Sequence, residues 1–267
     1  MGLIIFLGDS ITDAGRKTSP NELGFGYVNI FSERLKAQSQ NWNILNRGVE
    51  GYVVQNVAET LHRECISLKP DYISILVGVN DIGLIANSSA SEQDKLYMLE
   101  DSIRAYHEML FDLSRETQAK VIILEPFILP QHEKYEDWVP WQKKMSKNIQ
   151  KLARNYGAYF IPLQTPLNNK IQEQGYENIT TDGIHLTTQG QQLLADIVKD
   201  SFHLKIFSKF NLSKTKGGIY LNVYIPLLFQ QIFPIQLQLN LLDLISMSYQ
   251  FFLRLHRFPH TQEHFHE

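Results

Sequence analysis

The sequence predicts an α/β protein in which a parallel sheet is covered by helices on both faces. Three observations carry that expectation. Up to about residue 203, short β-branched apolar runs alternate with longer segments of helical period. The runs are apolar throughout, as in Ile73-Ser74-Ile75-Leu76-Val77, which suits strands buried on both faces. Most of them end in a cluster rich in Gly, Asp, Asn or Ser.

In chain order, the expected strands are Leu3 to Leu7, Trp42 to Asn46, Tyr72 to Val77, Lys120 to Leu124 and Ala158 to Ile161. Between them, Tyr27 to Gln38, Gln55 to Ser67, Glu92 to Thr117 and Asp137 to Tyr156 repeat apolar residues every three or four positions. Each can therefore lay one face on the sheet. Thr188 to Phe202 closes the series.

Composition narrows the function classes. The 267 residues are 43% hydrophobic and 20% charged, which is enough apolar material for a core. A net charge of −3 provides no field to recruit nucleic acid or anionic lipid, so small, near-neutral partners are expected. One cysteine, Cys65, cannot form an internal disulfide, and the first apolar run stops at Gly8, too early for a signal peptide or a membrane span. The expected location is the cytoplasm, where the triplets at Asn87, Asn178 and Asn211 would not be glycosylated.

After Phe202 the texture changes. Residues 217–242 carry no charge, yet are laced with Gln and Asn and broken by Pro226 and Pro234, which makes a poor membrane helix. The expected organisation is a domain over residues 1–203 and an extension of unknown role over 204–267. A loose or artefactual extension, an interface or edge-strand element, and membrane contact remain its alternatives. His256, His260, His264 and His266 do not by themselves make a metal site.

In open α/β sheets ligands bind beyond the carboxyl ends of the strands. The residues there are Gly8-Asp9-Ser10, Arg47-Gly48, Gly78-Val79-Asn80-Asp81 and Glu125-Pro126-Phe127. Ser10 places a hydroxyl at the end of the first strand. Near the domain's other end, Asp182-Gly183-Ile184-His185 sets a carboxylate three residues before an imidazole it can orient. Gly48 can bring a backbone N–H close to a substrate, and Asn80 can donate from its amide, which suits them to an oxyanion hole. Singly, each cluster could be an ordinary turn; four in this order are harder to explain so.

Together these clusters resemble the four blocks of the SGNH (GDSL-type) hydrolases, over about residues 1–203. The resemblance implies a flavodoxin-like three-layer αβα sandwich with a five-stranded parallel sheet. It implies Ser10 as nucleophile, His185 as base and Asp182 as its partner, with Ser10, Gly48 and Asn80 around the oxyanion. The opening Gly8 to Arg16, with Asp13 and the following Gly26-Tyr27-Val28, is similar to the branch containing carbohydrate acetyl esterases. Three positions depart from that pattern: Gly83 and Thr181 stand where aromatic residues are common, and Leu186 where a proline usually follows the histidine. The first two bear on the pocket walls.

Asp9, Tyr135, Trp138 and Trp141 are further candidates for contact with substrate. For Asp9 the competing reading is a hydrogen bond to neighbouring turns, and for the aromatic residues it is core packing. His62, His107 and His132 read as surface or packing residues, and Cys65 as a buried helix residue. The expected activity is hydrolysis of short acyl esters, acetyl above all, of carbohydrate or similar small molecules, with no cofactor and no metal. A homo-oligomer is compatible with this. The alternatives are a lysophospholipase or thioesterase, a metal-dependent phosphoesterase suggested by Asp9, Asp13, Asp81 and Asp182 with His185, and a sugar-binding module.

Overall fold

Strands apolar on both faces can only be buried if helices cover both sides, and the chain arranges them so. The computed structural model describes residues 2–131, 134–202, 212–215 and 218–221. Its first half runs β1 (Gly2–Gly8), α1 (Ser10–Asp13), α2 (Tyr27–Ala37), β2 (Trp42–Gly48), α3 (Val54–Glu64), β3 (Tyr72–Leu76), α4 (Val79–Asn87) and α5 (Glu92–Glu116). The second half runs β4 (Lys120–Leu124), α6 (Val139–Asn155), β5 (Tyr159–Ile161), α7 (Gln164–Gln174), α8 (Tyr176–Ile179) and α9 (Thr188–Phe202). A hairpin of β6 (Leu212–Thr215) and β7 (Gly218–Leu221) follows.

The first five strands form one all-parallel sheet in the order β2-β1-β3-β4-β5, the expected flavodoxin-like arrangement. From β1 the chain first steps outward to β2, then returns past β1 to β3. Strand order therefore reverses at β1, and the carboxyl end of β1 is the crevice where such sheets bind ligands. Alternation along β1 divides its side chains between two layers. Ile5 and Leu7 join Ile73, Ile75 and Ile123 under α3, α5 and α6, whereas Phe6 meets Tyr27 and Phe31 of α2 and Phe202 of α9.

All five expected strands and all five expected helices form, with ends shifted by at most three residues. Four further helices were not expected: α1, α4, α7 and α8. The chain divides into two units, Met1–Phe207 and Ser208–Glu267. Apart from the β6–β7 hairpin, the readings of residues 204–267, including Asn211 and the four late histidines, lie outside the described residues. No helix among the described residues is long and apolar enough to cross a membrane.

The cluster after β4 is structural. Glu125 is buried, and its Oε2 accepts the N–H groups of Leu163 and Gln164 at 2.8 and 3.0 Å while Oε1 accepts from Ser146. One carboxylate thus caps the start of α7 and ties α6 to the sheet. Glu125→Ala should cost about 3 kcal/mol, because it orphans several buried donors at once. Urea denaturation checks this, and a loss below about 1 kcal/mol would contradict the role.

Candidate active site

The site begins where β1 ends. A Cβ on Gly8 would sit 2.3 Å from both the Leu76 carbonyl and the Thr12 hydroxyl, so only glycine lets the chain pass there. Asp9 then caps α1, its Oδ1 accepting the Ile11 N–H at 3.0 Å. That cap turns the chain so that Ser10, the first residue of α1, is half-buried at the rim of the sheet.

Across the rim, 175 residues later in sequence, the Ser10 Oγ lies 3.0 Å from His185 Nε2. His185 Nδ1 lies 2.8 Å from Asp182 Oδ2. The other carboxylate oxygen, Oδ1, accepts the backbone N–H groups of Ile184 and His185 at 2.9 and 2.8 Å. Partial burial alone would raise the Asp182 carboxyl. The hydrogen bonds from the His185 ring and from these two N–H groups outweigh it and hold the carboxyl below its ordinary value. The turn is fixed from behind, since the His185 carbonyl accepts from the Thr181 N–H at 2.9 Å and the Thr180 hydroxyl at 2.7 Å. Gly183, at φ +100°, packs against the Leu129 carbonyl.

The donors around Ser10 differ from expectation at one position. Asn80, at the start of α4, gives one Nδ2 hydrogen to the Tyr52 carbonyl at 2.9 Å and keeps the other. Gly48 cannot serve as expected: its N–H donates to Asn46 Oδ1 at 2.9 Å, and a Cβ there would fall 2.3 Å from the Asp13 nitrogen. Gly48 is a glycine because β2 crosses α1 at that point. Three residues on, Gly51 is exposed at φ +77° with open space before it, and its N–H has no acceptor among the described residues. The Tyr52 carbonyl held by Asn80 links this turn to α4. Asn46, expected only as the end of the second strand, is the buried bridge beneath: its Nδ2 donates to the carbonyls of Thr12 and Leu23 at 2.6 and 2.9 Å.

Comparison with known proteins shows the family. The model of the GDSL-like Lipase/Acylhydrolase family matches residues 6–193, spanning every residue of the rim described above. The chain belongs to that family. It is accordingly a carboxylic ester hydrolase. The chain is 27% identical to the acetylxylan esterase of Geobacillus stearothermophilus, over 72% of this chain and 90% of that one. It is 23% identical to the isoamyl acetate-hydrolyzing esterase of Saccharomyces cerevisiae, over 72% of this chain and 82% of that one. Among solved structures, a Parabacteroides merdae protein described as GDSL-like superposes with TM-score 0.68 at 26% identity, covering 76% of this chain and 96% of the other.

Other residues expected at the esterase site are placed differently. Trp141 is only 5% exposed, on the core face of α6 with Met145 and Ile149, and Lys144 Nζ covers its ring at 4.1 Å. It belongs to the core and cannot stack on substrate. Tyr135 and Trp138 are half-buried with ring centroids 4.6 Å apart. Trp138 occupies the room that a side chain at Gly83 would need, 2.5 Å from its Cβ position, and Tyr135 does the same at Gly183, 2.9 Å away. The aromatic surface absent at position 83 is thus supplied from the β4–α6 connection. His62 lies 4.0 Å from Glu116 on the surface, and His107 bonds the Tyr156 hydroxyl at 2.9 Å. His132 lies outside the described residues. Cys65 is buried, which pushes its thiol up to about 12.

Asp9 is 1% exposed beneath Ser10, so it caps α1 rather than meeting substrate. The other acids that suggested a metal centre are engaged separately: Asp13 with the Arg16 and Glu50 N–H groups, Asp81 with Val54, and Asp182 with His185. Burial, reinforced by the nearby Asp81 charge, pushes the Asp9 carboxyl up to about 7. The folded state then holds this proton more tightly than the unfolded chain. The resulting stability is present below about pH 4 and is lost as pH rises through about 7. Asp9→Asn keeps the capping oxygen and removes the titration. Its melting temperature should therefore gain on the parent between pH 5 and pH 8, and a difference independent of pH would contradict the buried proton.

Proposed function

We propose that this esterase removes acetyl groups from hydroxylated, carbohydrate-type acceptors through an acyl-enzyme on Ser10. The observation that carries the reading is the continuous line from Ser10 Oγ to His185 Nε2 at 3.0 Å and from His185 Nδ1 to Asp182 Oδ2 at 2.8 Å. In this scheme Ser10 Oγ attacks the ester carbonyl carbon while its proton passes to His185 Nε2. Asp182 keeps the Nδ1–H tautomer and stabilises the imidazolium. The negative oxygen of the tetrahedral intermediate receives the N–H groups of Ser10 and Gly51 and the free Nδ2 hydrogen of Asn80. Collapse breaks the ester C–O bond, and the departing alkoxide takes the proton from His185. Water then attacks the acyl-enzyme, His185 accepts one of its protons and returns it to Ser10 Oγ as the acyl C–O bond breaks, and acetic acid leaves with the other.

Acetyl is favoured over longer acyl groups because the acetylxylan and isoamyl acetate esterases both carry acetyl in the activity they are named for. Their acceptors differ, and the carbohydrate reading follows the relative of higher identity. Residues 1–203 form the catalytic domain in this proposal, since every assigned residue lies there, and the cytoplasm is its proposed location.

Ser10→Ala should lower 4-nitrophenyl acetate turnover at least 10³-fold with an unchanged melting temperature, and Asp182→Asn should lower it by roughly 10³–10⁴. Asn80→Ala should cost about 10²–10³ in kcat. Equal rates for Ser10→Ala and the parent would refute the nucleophile. Across a series of aryl esters kcat/KM should peak at acetyl; a rise beyond about eight carbons would favour the lipid acyl hydrolase reading instead.

A further inference from the structure

The β1–β2 side of the rim carries a cation and an aromatic ring that the chemistry above does not use. Arg16 is anchored at two points: its backbone N–H donates to Asp13 Oδ1 at 3.0 Å, and its Nε donates to the Gly48 carbonyl at 2.6 Å. Gly48 pairs with Gly8 in the sheet register, so the guanidinium is held within a few residues of Ser10. Its terminal nitrogens donate to no acceptor among the described residues, and it forms no ion pair there. The same Asp13 carboxylate accepts the Glu50 N–H at 3.1 Å, which couples this anchor to the Gly51 turn.

Beside Arg16 in the chain, Gly15 at φ +76° lets the Phe25 ring close over its backbone, 3.2 Å from the Cβ position. That ring is 66% exposed, the highest exposure of a large hydrophobic side chain among the described residues. Leaving it in water forgoes the burial of a whole aromatic ring, which is reasonable if the ring has an occupant. A planar fork of free N–H donors on Arg16 and an open aromatic face packed on its chain neighbour Gly15 together fit a pyranose or furanose ring. The fork spans two neighbouring hydroxyls, and the apolar C–H face lies on the ring. Asp13, whose carboxylate accepts the Glu50 N–H, and the exposed Glu50 would both repel an anionic acceptor, so the occupant is a neutral sugar.

We propose that Arg16 and Phe25 form the acceptor subsite of this esterase, holding the neutral sugar that carries the acetyl group. The proposal rests on the carbohydrate-ester reading above. Its test compares kcat/KM for acetylated xylo-oligosaccharide with kcat/KM for 4-nitrophenyl acetate, whose alcohol offers no vicinal hydroxyls. The ratio of the two should fall about tenfold or more in Arg16→Ala and Phe25→Ala, through KM for the oligosaccharide, and Arg16→Lys should recover little because it lacks the fork. Phe25 is exposed, so its variant reports even if loss of the Arg16 anchor disturbs the Gly48 turn. A parent enzyme that cleaves the oligosaccharide while both variants keep the parent's ratio overturns the subsite alone. A parent that hydrolyses the aryl ester but not the oligosaccharide overturns the carbohydrate reading and the subsite with it.

Discussion

The site depends on bringing an alcohol from the start of the domain and an imidazole from its end into contact over one sheet edge. Ser10 is placed by β1, an inner strand of the sheet, and His185 by the turn before α9. The two ends are tied together away from the chemistry. Gln191 of α9 accepts the Tyr27 N–H at 2.8 Å, and the Tyr27 hydroxyl meets the Thr12 hydroxyl at 3.0 Å, two residues past Ser10. Ring contacts of Phe31 and Phe6 with Phe202 fix α2 and α9 on the same face. The reach of 175 residues is therefore a consequence of core packing, with the reactive groups adding little to it.

Magnitudes support that division. The Asp182 and His185 side chains are 36% and 51% exposed, and ion pairs in such surroundings contribute between nothing and about 1 kcal/mol. What orients the imidazole is the Asx-type turn beneath it, where Asp182 Oδ1 is bound by two backbone N–H groups and the His185 carbonyl by two threonines. Under the site the balance is reversed. Asp9 and Asp81 are both buried, burial pushes Asp81 up to about 6, and the Asp81 charge makes Asp9 harder still to ionise, while positive charge on His185 would pull Asp9 down. The protein keeps these acids because each caps backbone that aims a donor or the nucleophile: Asp9 caps α1, and Asp81 holds Val54 at the start of α3.

Much of this was legible in the amino-acid sequence because strands buried on both faces leave unbroken apolar runs, and because an Asp three residues before a His is a local signal. The strand order was not encoded locally, yet the alternation of strands and helices restricted it to a doubly wound sheet. Gly48 misled because a glycine after a strand reads alike whether it serves a ligand or a crossing helix. Only coordinates separate the N–H spent on Asn46 from the free one at Gly51. Helix α4 was hidden by Gly83, a helix-weakening residue whose purpose is contact with Trp138. Helix α7 was hidden because it is mostly polar, with Leu167 its one buried residue. Trp141, offered as a substrate contact with core packing as the competing reading, shares its period with Met145 and Ile149, and it is the core that it joins.

The most direct measurement of the central claim is the mass of the intact protein after reaction with a serine-directed fluorophosphonate, followed by peptide mapping. The account predicts one adduct, on Ser10, formed orders of magnitude more slowly when His185 is replaced by alanine. Adducts spread over several serines, or labelling of Ser10 at the same rate without the imidazole, would contradict it.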